Sequence, residues 1–251
     1  MKQATTPLLL VGALLLNVAT VSAQTTFRIG VRGGANRALT TVAAASNSPT
    51  TIPFSYSADK SAIYAWQAGL VAEWAWGKFA LQPGLQLSQK GEKLNTSATM
   101  DGIVGSRLQI TSVNRYSWLE LPLNFVYTLH SDHGLQLFAG PYVALGVGGR
   151  QRGTTYPYYG PAVDGVPFDF DNKVSYGSAT NNRRVDAGVN FGIGYRQGPL
   201  QVQFGYGLGL RNLHQPGFRS LDPNFFPSHE FNADAAYNRV AQLTGTYFFS
   251  L

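Results

Sequence analysis

Strict alternation of apolar and polar residues, interrupted by connectors that run long and short in turn, most narrows what this chain can fold into. The clearest stretch places Phe79, Leu81, Pro83, Leu85 and Leu87 on one parity. Ala80, Gln82, Gly84, Gln86, Ser88 and Lys90 fall on the other. A period of two describes a strand with one apolar and one polar face. Here the polar face is rich in Gln, Gly and charge, while aromatics mark the ends of the apolar series. That combination predicts a sheet closed into a barrel, with lipid outside and wet groups within.

The first residues do not share the rhythm. Lys2 precedes an apolar run from Leu8 to Leu16, and Val21-Ser22-Ala23 offers a small-residue cleavage site. Residues 1–23 therefore read as a cleaved signal peptide, leaving 24–251 as one barrel domain. The run is shorter than the roughly 20 residues a spanning helix needs, and no later segment approaches that length. A membrane-embedded chain of this kind must cross as a closed sheet, because lipid offers no partner to an open backbone edge. The near-neutral mean hydropathy of −0.08 suits strands that alternate lipid-facing and wet residues. With no Cys in the sequence, neither disulfides nor a cysteinyl lipid anchor contribute. The net charge of +6 is scattered singly and forms no basic run, which argues against nucleic acid as a partner. Anionic lipid headgroups or saccharides suit it better.

Eight strand-like stretches follow one another. They carry Phe27, Ile29 and Val31; Tyr64 to Trp74; Phe79 to Lys90; Leu119 to Leu129; Leu135 to Val147; Val185 to Tyr195; Leu200 to Leu210; and Ala241 to Leu251. Most approach ten residues, enough to cross a bilayer when tilted. Trp76-Gly77-Lys78, His130–Gly134 and Gln197-Gly198-Pro199 are tight hairpin turns. The connectors near 40–60, 91–106, 150–182 and 212–236 are long and rich in Gly, Pro, Asn and Ser. Short periplasmic turns and long external loops are the habit of outer-membrane barrels. The expectation is an all-β, eight-stranded, antiparallel up-and-down transmembrane barrel in the cell outer membrane, with both termini in the periplasm. Tyr64, Trp66, Trp74, Trp76, Phe79, Tyr116, Trp118, Tyr127 and Tyr195 then form an interfacial girdle. The inward parity is rich in Gly, which relieves crowding in a narrow interior.

Several motifs resemble the PorT-like outer-membrane β-barrel family of Bacteroidetes. They are Tyr116 to Tyr127 (YSWLELPLNFVY), Gly30 to Asn36 (GVRGGAN), Gly140 to Gly149 (GPYVALGVGG), Asp186 to Tyr195 (DAGVNFGIGY) and Gly205 to Leu210 (GYGLGL). They occur in order along nearly the whole mature chain. The resemblance implies fold and location; the secretion role of the family's namesake is not carried by these residues. The ending Tyr247-Phe248-Phe249-Ser250-Leu251 is similar to the aromatic terminal strand that barrel-assembly machinery recognises, with Leu in place of a final Phe.

Chemistry has few places to sit. Arg28, Arg32, Glu73, Lys90, Glu120, Arg184, Asp186, Arg196 and Arg211 fall on the inward parity or its continuation. A plugged ion-pair network is one account of them and a selective pore the other. Glu120 is expected in the lumen with at least one Arg within salt-bridge distance. Tyr156, Tyr158, Tyr159, Phe168, Phe170, Phe225 and Phe226 lie in the long connectors. They suit a saccharide or protein ligand, or else a cap folded over the barrel. An acyl-transfer enzyme acting on lipid would need a His near a hydroxyl and an acid. Only His214, with Arg211 and Ser220 nearby, lies close to a strand's outer end. No nucleotide, metal or hydrolase motif is present, so no cofactor is expected. The reading is a non-enzymatic membrane anchor that displays its loops, with a small channel or secretion accessory, and a lipid-modifying enzyme, as alternatives.

Overall fold

The computed structural model describes residues 25–42, 54–100, 106–131, 133–160, 165–177, 182–214 and 235–250. The segment 1–23 and both Phe225 and Phe226 lie outside them. Nine strands are present among the described residues: β1 (Thr26–Val42), β2 (Phe54–Trp76), β3 (Phe79–Met100), β4 (Ser106–His130), β5 (His133–Tyr159), β6 (Phe168–Lys173), β7 (Val185–Gln197), β8 (Leu200–Gly209) and β9 (Ala236–Ser250). Every pairing is antiparallel, in the order β4-β3-β2-β1-β9-β8-β7-β5-β6, and a β4–β5 pairing closes the sheet. Eight strands thus form a ring, and β6 is a short flap on the outer half of β5.

The register fixes the dimensions of the ring. Leu145 pairs with Leu119, and the line continues through Leu87, Ala68, Gly33, Gly245, Val202 and Tyr195. It returns to β5 at Leu135, a stagger of ten residues. With ~3.3 Å per residue and ~4.8 Å between strands, that stagger tilts the strands by about 40° and sets a backbone radius of about 8 Å. Such a cylinder has room for inward side chains and little else. The turns between β2 and β3 and between β7 and β8 contain two residues each, opened by Gly77 (φ 59°) and Gly198 (φ 56°). A positive φ at the first turn position matches the strands' twist, and glycine adopts it without steric cost.

The outward parity is apolar. Leu70, Leu121, Phe125, Leu137, Val202, Phe204 and Leu243 are all exposed, and together they form a continuous band no soluble monomer would leave bare. At the short-turn edge the band ends in paired rings: Phe27 with Trp74, Phe79 with Tyr127, and Tyr247 with Phe249, centroids 5.0, 5.3 and 5.0 Å apart. Tyr116 and Trp118 leave the expected girdle. They share the parity of Glu120 and point inward, with Trp118 only 2% exposed.

Two expected loops are largely strand. β3 runs to Met100 and β4 resumes at Ser106, so the 91–106 connector is the tip of a long hairpin. Within 150–182, β5 continues to Tyr159 and β6 returns beside it. Residues such as Asn95, Thr96 and Ser97 are polar on both parities because the sheet is wet on both faces there, which erases the alternation. β2 to β5 reach 23, 22, 25 and 27 residues, against 13 and 10 for β7 and β8. A spanning strand needs only about 9–11 residues, so one side of the cylinder continues beyond the membrane as a wall.

Leu70 is 55% exposed on the outward face, between Val31 and Leu85 of the neighbouring strands. Leu70→Arg is expected to destabilise the protein folded in lipid vesicles by about 2–4 kcal/mol, read from urea titrations. A water-facing position would tolerate the change within about 0.5 kcal/mol, which would contradict the lipid-facing assignment.

Candidate functional site, a charged lumen and its cap

Inward side chains from all eight ring strands fill the cylinder, and its charges gather in two knots. The lower knot, nearer the short turns, centres on Glu73, which is fully buried. Arg28 donates from Nη1 to Glu73 Oε1 at 3.1 Å, and Arg196 from Nη1 to Oε2 at 2.6 Å. Gln82 donates to Glu73 Oε2 at 2.8 Å and to Gln201 Oε1 at 2.9 Å. Arg32 donates to Gln82 Oε1 at 3.2 Å and to Thr246 Oγ1 at 3.0 Å. The Arg196 guanidinium lies 4.8 Å from the Phe248 ring centroid, so its face is covered as well as its edge.

The upper knot centres on Lys90. Its ammonium forms an ion pair with Glu120, lies 3.5 Å from Asp186 Oδ2, and sits 4.5 Å from the Tyr142 ring centroid. Tyr142 OH and Asn238 Nδ2 donate to Asp186 Oδ2 at 3.1 and 2.8 Å. Gln86 Nε2 donates to Glu120 Oε2 at 2.9 Å and to Gln67 Oε1 at 3.0 Å. Glu120 therefore occupies the lumen, but its cation is Lys90 rather than an arginine. Lys90 is near enough along β3 to reach it, whereas the lumenal arginines are committed to the lower knot. One further carboxylate, Glu92, is buried above Lys90 and accepts from Asn114 Nδ2 at 2.8 Å. It shares the parity of Ser88 and Lys90, which was the available signal; its place in an expected loop hid it.

Two expected members are not in the lumen. Arg184 is exposed just before β7, donating to Gly146 O at 3.4 Å, and Arg211 is exposed just beyond β8. In both cases the alternation in the sequence outlasts the strand. Large rings occupy the space that inward glycines leave. A Cβ at Gly192 or Gly205 would lie 2.9 or 2.8 Å from Phe138, and one at Gly188 would lie 2.7 Å from Tyr142. Between the knots remains a cavity of about 20 Å³, bordered by Arg32, Gln86, Asn124 and Gln203. That is space for about one water, not for a conducting column.

The outer mouth is covered. Trp118, Tyr142, Ala144, Leu213 and Ala236 form an apolar cluster against which Tyr116 and Tyr176 pack. Tyr176 meets Trp118 edge-on at 5.7 Å and donates to Gly148 O at 3.0 Å. Burial pushes the Tyr176 phenol above its ordinary range, so it remains a donor. A bridge between Asn182 and His214 ties the β6–β7 and β8–β9 connections together over the mouth. His214 borders a second cavity of about 30 Å³ with Glu92, Tyr116 and Tyr176; Ser220 lies outside the described residues. The connector aromatics sit elsewhere, on the wall. Tyr156, Tyr159 and Phe168 are exposed there, and Tyr158 and Phe170 are half-buried. Arg107 lies 5.8 Å from the Tyr158 ring centroid.

A closed antiparallel ring with a polar interior and an apolar exterior defines an outer-membrane β-barrel. The chain belongs to the family described as outer membrane protein beta-barrel domain, whose model matches residues 22–215. No curated protein matches it in sequence. Among solved structures, Neisserial surface protein A is 9% identical, with a TM-score of 0.35 over 88% of this chain and 97% of that one. The TodX monoaromatic hydrocarbon channel is 8% identical, with a TM-score of 0.22 over 93% and 92%. At scores this low the two likenesses carry nothing about ligand or activity. The family and the lipid-facing band together place the protein in the outer membrane.

Breaking a buried ion pair leaves a stranded charge and costs roughly 3–5 kcal/mol, less where water reaches it. Glu120→Ala is therefore expected to lower the heat-shift temperature of the barrel on gels. The lipid-facing neighbour Leu121→Ala is expected to lower it less. An unchanged heat-shift temperature in Glu120→Ala would contradict a stabilising Lys90–Glu120 pair.

Proposed function

We propose that this protein is a non-enzymatic membrane anchor that holds a β-sheet wall clear of the outer surface, for ligand binding or envelope assembly. The asymmetry of strand length carries the reading. Evolution of a simple plug needs no strands of 22 to 27 residues on one side of the ring. The wall has two open edges among the described residues. β2 pairs with β1 only from Ile63 inward, and β6 pairs only with β5. Unpaired strand edges are templates for an added strand, and Tyr156, Tyr159 and Phe168 supply exposed rings beside one of them. A saccharide or protein partner suits such a surface. The finer kinship to PorT-like barrels rests on the sequence motifs and would agree with an envelope role. The filled lumen supports an anchor over a channel.

The sequence contains no Cys, so single cysteines report sidedness cleanly. Cysteine placed at Asn95, on the wall, is expected to react with a membrane-impermeant maleimide on intact cells. Cysteine at Lys78, in a short turn, is expected to react only after lysis. The reverse pattern would place the wall in the periplasm. In planar bilayers the wild-type protein is expected to give no steady conductance, and stable ion-selective steps would favour the channel.

A further inference from the structure

The outward apolar series ends at an arginine on several strands. Ala35 is followed by Arg37 on β1, and Ala241 is preceded by Arg239 on β9. The pattern is densest where the wall leaves the cylinder. There Arg115 of β4 pairs directly with Arg150 of β5, and Arg150 pairs with Lys173 of β6. Three cations thus stand side by side on adjacent strands, all exposed and on one face. Arg152 joins them one outward position farther along β5. Like charges directly opposite in a sheet repel, so the row calls for an anion.

The protein supplies little of that anion. Asp171 lies 3.4 Å from Arg150 and 3.1 Å from Arg152, and both pairs are exposed. Arg115 donates from Nη1 to the backbone oxygen of Tyr64 at 2.9 Å, which anchors the guanidinium without neutralising it. Between these groups lies an open cleft of about 500 Å³, lined by Gln89, Arg115, Ser117, Gly149, Arg150 and Arg152. Below the cleft the lipid band resumes with Val147 and the Leu119–Leu145 pair. The cleft therefore sits at headgroup depth on the side of the barrel that bears the wall. Arg is the residue that meets phosphate with two parallel donors, and basic residues at a membrane surface draw anionic headgroups.

We propose that this cleft binds the phosphate of a phosphorylated glycolipid headgroup in the outer leaflet, gripped by Arg115 and Arg150 with Arg152 and Lys173 at its rim. Acyl chains of such a lipid lie along the Leu119–Leu145–Val147 surface, so one molecule meets both halves of the site. The assignment rests on the wall facing outward, which the cysteine labelling reads independently of any lipid.

The test uses the full-length protein in detergent and native mass spectrometry, with bisphosphorylated lipid A as the probe. Wild type is expected to retain lipid A, and Arg115→Gln/Arg150→Gln to bind it at least tenfold more weakly. Lys173→Gln, outside the closed ring, is expected to weaken it severalfold and covers the case in which the double variant folds poorly. Arg107→Gln, an exposed cation farther up β4, is expected to leave binding unchanged. Lipid A stripped of phosphate is expected to bind wild type no better than the double variant binds the intact lipid. Equal retention by wild type and the double variant would overturn the proposal, as would an equal loss from Arg107→Gln. Full displacement by millimolar inorganic phosphate would assign the cleft to free phosphate instead.

Discussion

A cylinder of eight strands with a ten-residue stagger leaves an interior only as wide as the side chains that enter it. Every inward charge must therefore bring its own counter-charge, since bulk water is absent and an unpaired buried ion costs several kcal/mol. The composition of the lumen follows. Arg28 and Arg196 pair with Glu73 and Lys90 with Glu120 and Asp186, while Glu92 accepts from Asn114 and shares its cavity with Lys60 and Arg183. Glutamines join them, because one amide can donate to one knot member and accept from the next, as Gln82 does between Glu73 and Arg32. The balance is not uniform along the axis. The short-turn end carries three arginines around one glutamate, and the outer end gathers Glu92, Glu120 and Asp186.

The same closure organises the outside. Once the interior is filled with polar groups, the outward parity is left to the lipid, and its apolar band runs from the paired rings at the short-turn edge to the arginines at the other. Beyond that edge the constraint lapses. β5 exchanges β7 for β6 as partner between Leu145 and Arg150, with a bulge opposite Ser117 and Trp118. From there the sheet is wet on both faces and grows as a wall. Anchor and displayed surface are consequently separable parts of one continuous sheet, sharing strands but not the forces that hold them.

The ring was legible in the sequence because a period of two is visible wherever one face meets lipid and the other does not. Parity placed Glu73, Glu120, Asp186 and the inward glycines, and it would also have placed Trp118 and Glu92. Residue type misled in the first case, since an aromatic beside a membrane strand suggests a girdle. Expected loop position misled in the second. The wall was not legible for a physical reason: strands with two wet faces carry no alternation, and Asn95-Thr96-Ser97 reads as a loop. Arg184 and Arg211 show the opposite error, a parity carried past the end of its strand. The partner of Glu120 could not be chosen from counting arginines, because reach along β3 and prior commitment to Glu73 decide it. The cleft at Arg115 and Arg150 needs register across three strands, which no single stretch of sequence contains.

The account stands on the claim that the lumen is held by mutually dependent ion pairs, and a double-mutant cycle on Glu73 and Arg196 reads that dependence directly. Stability of wild type, Glu73→Gln, Arg196→Met and the double variant would be measured by urea unfolding in lipid vesicles. The predicted result is a double variant less destabilised than the two single losses combined, with a coupling of about 1–3 kcal/mol. Losses that add to within about 0.5 kcal/mol would mean the two charges stabilise the barrel independently, and would contradict the account.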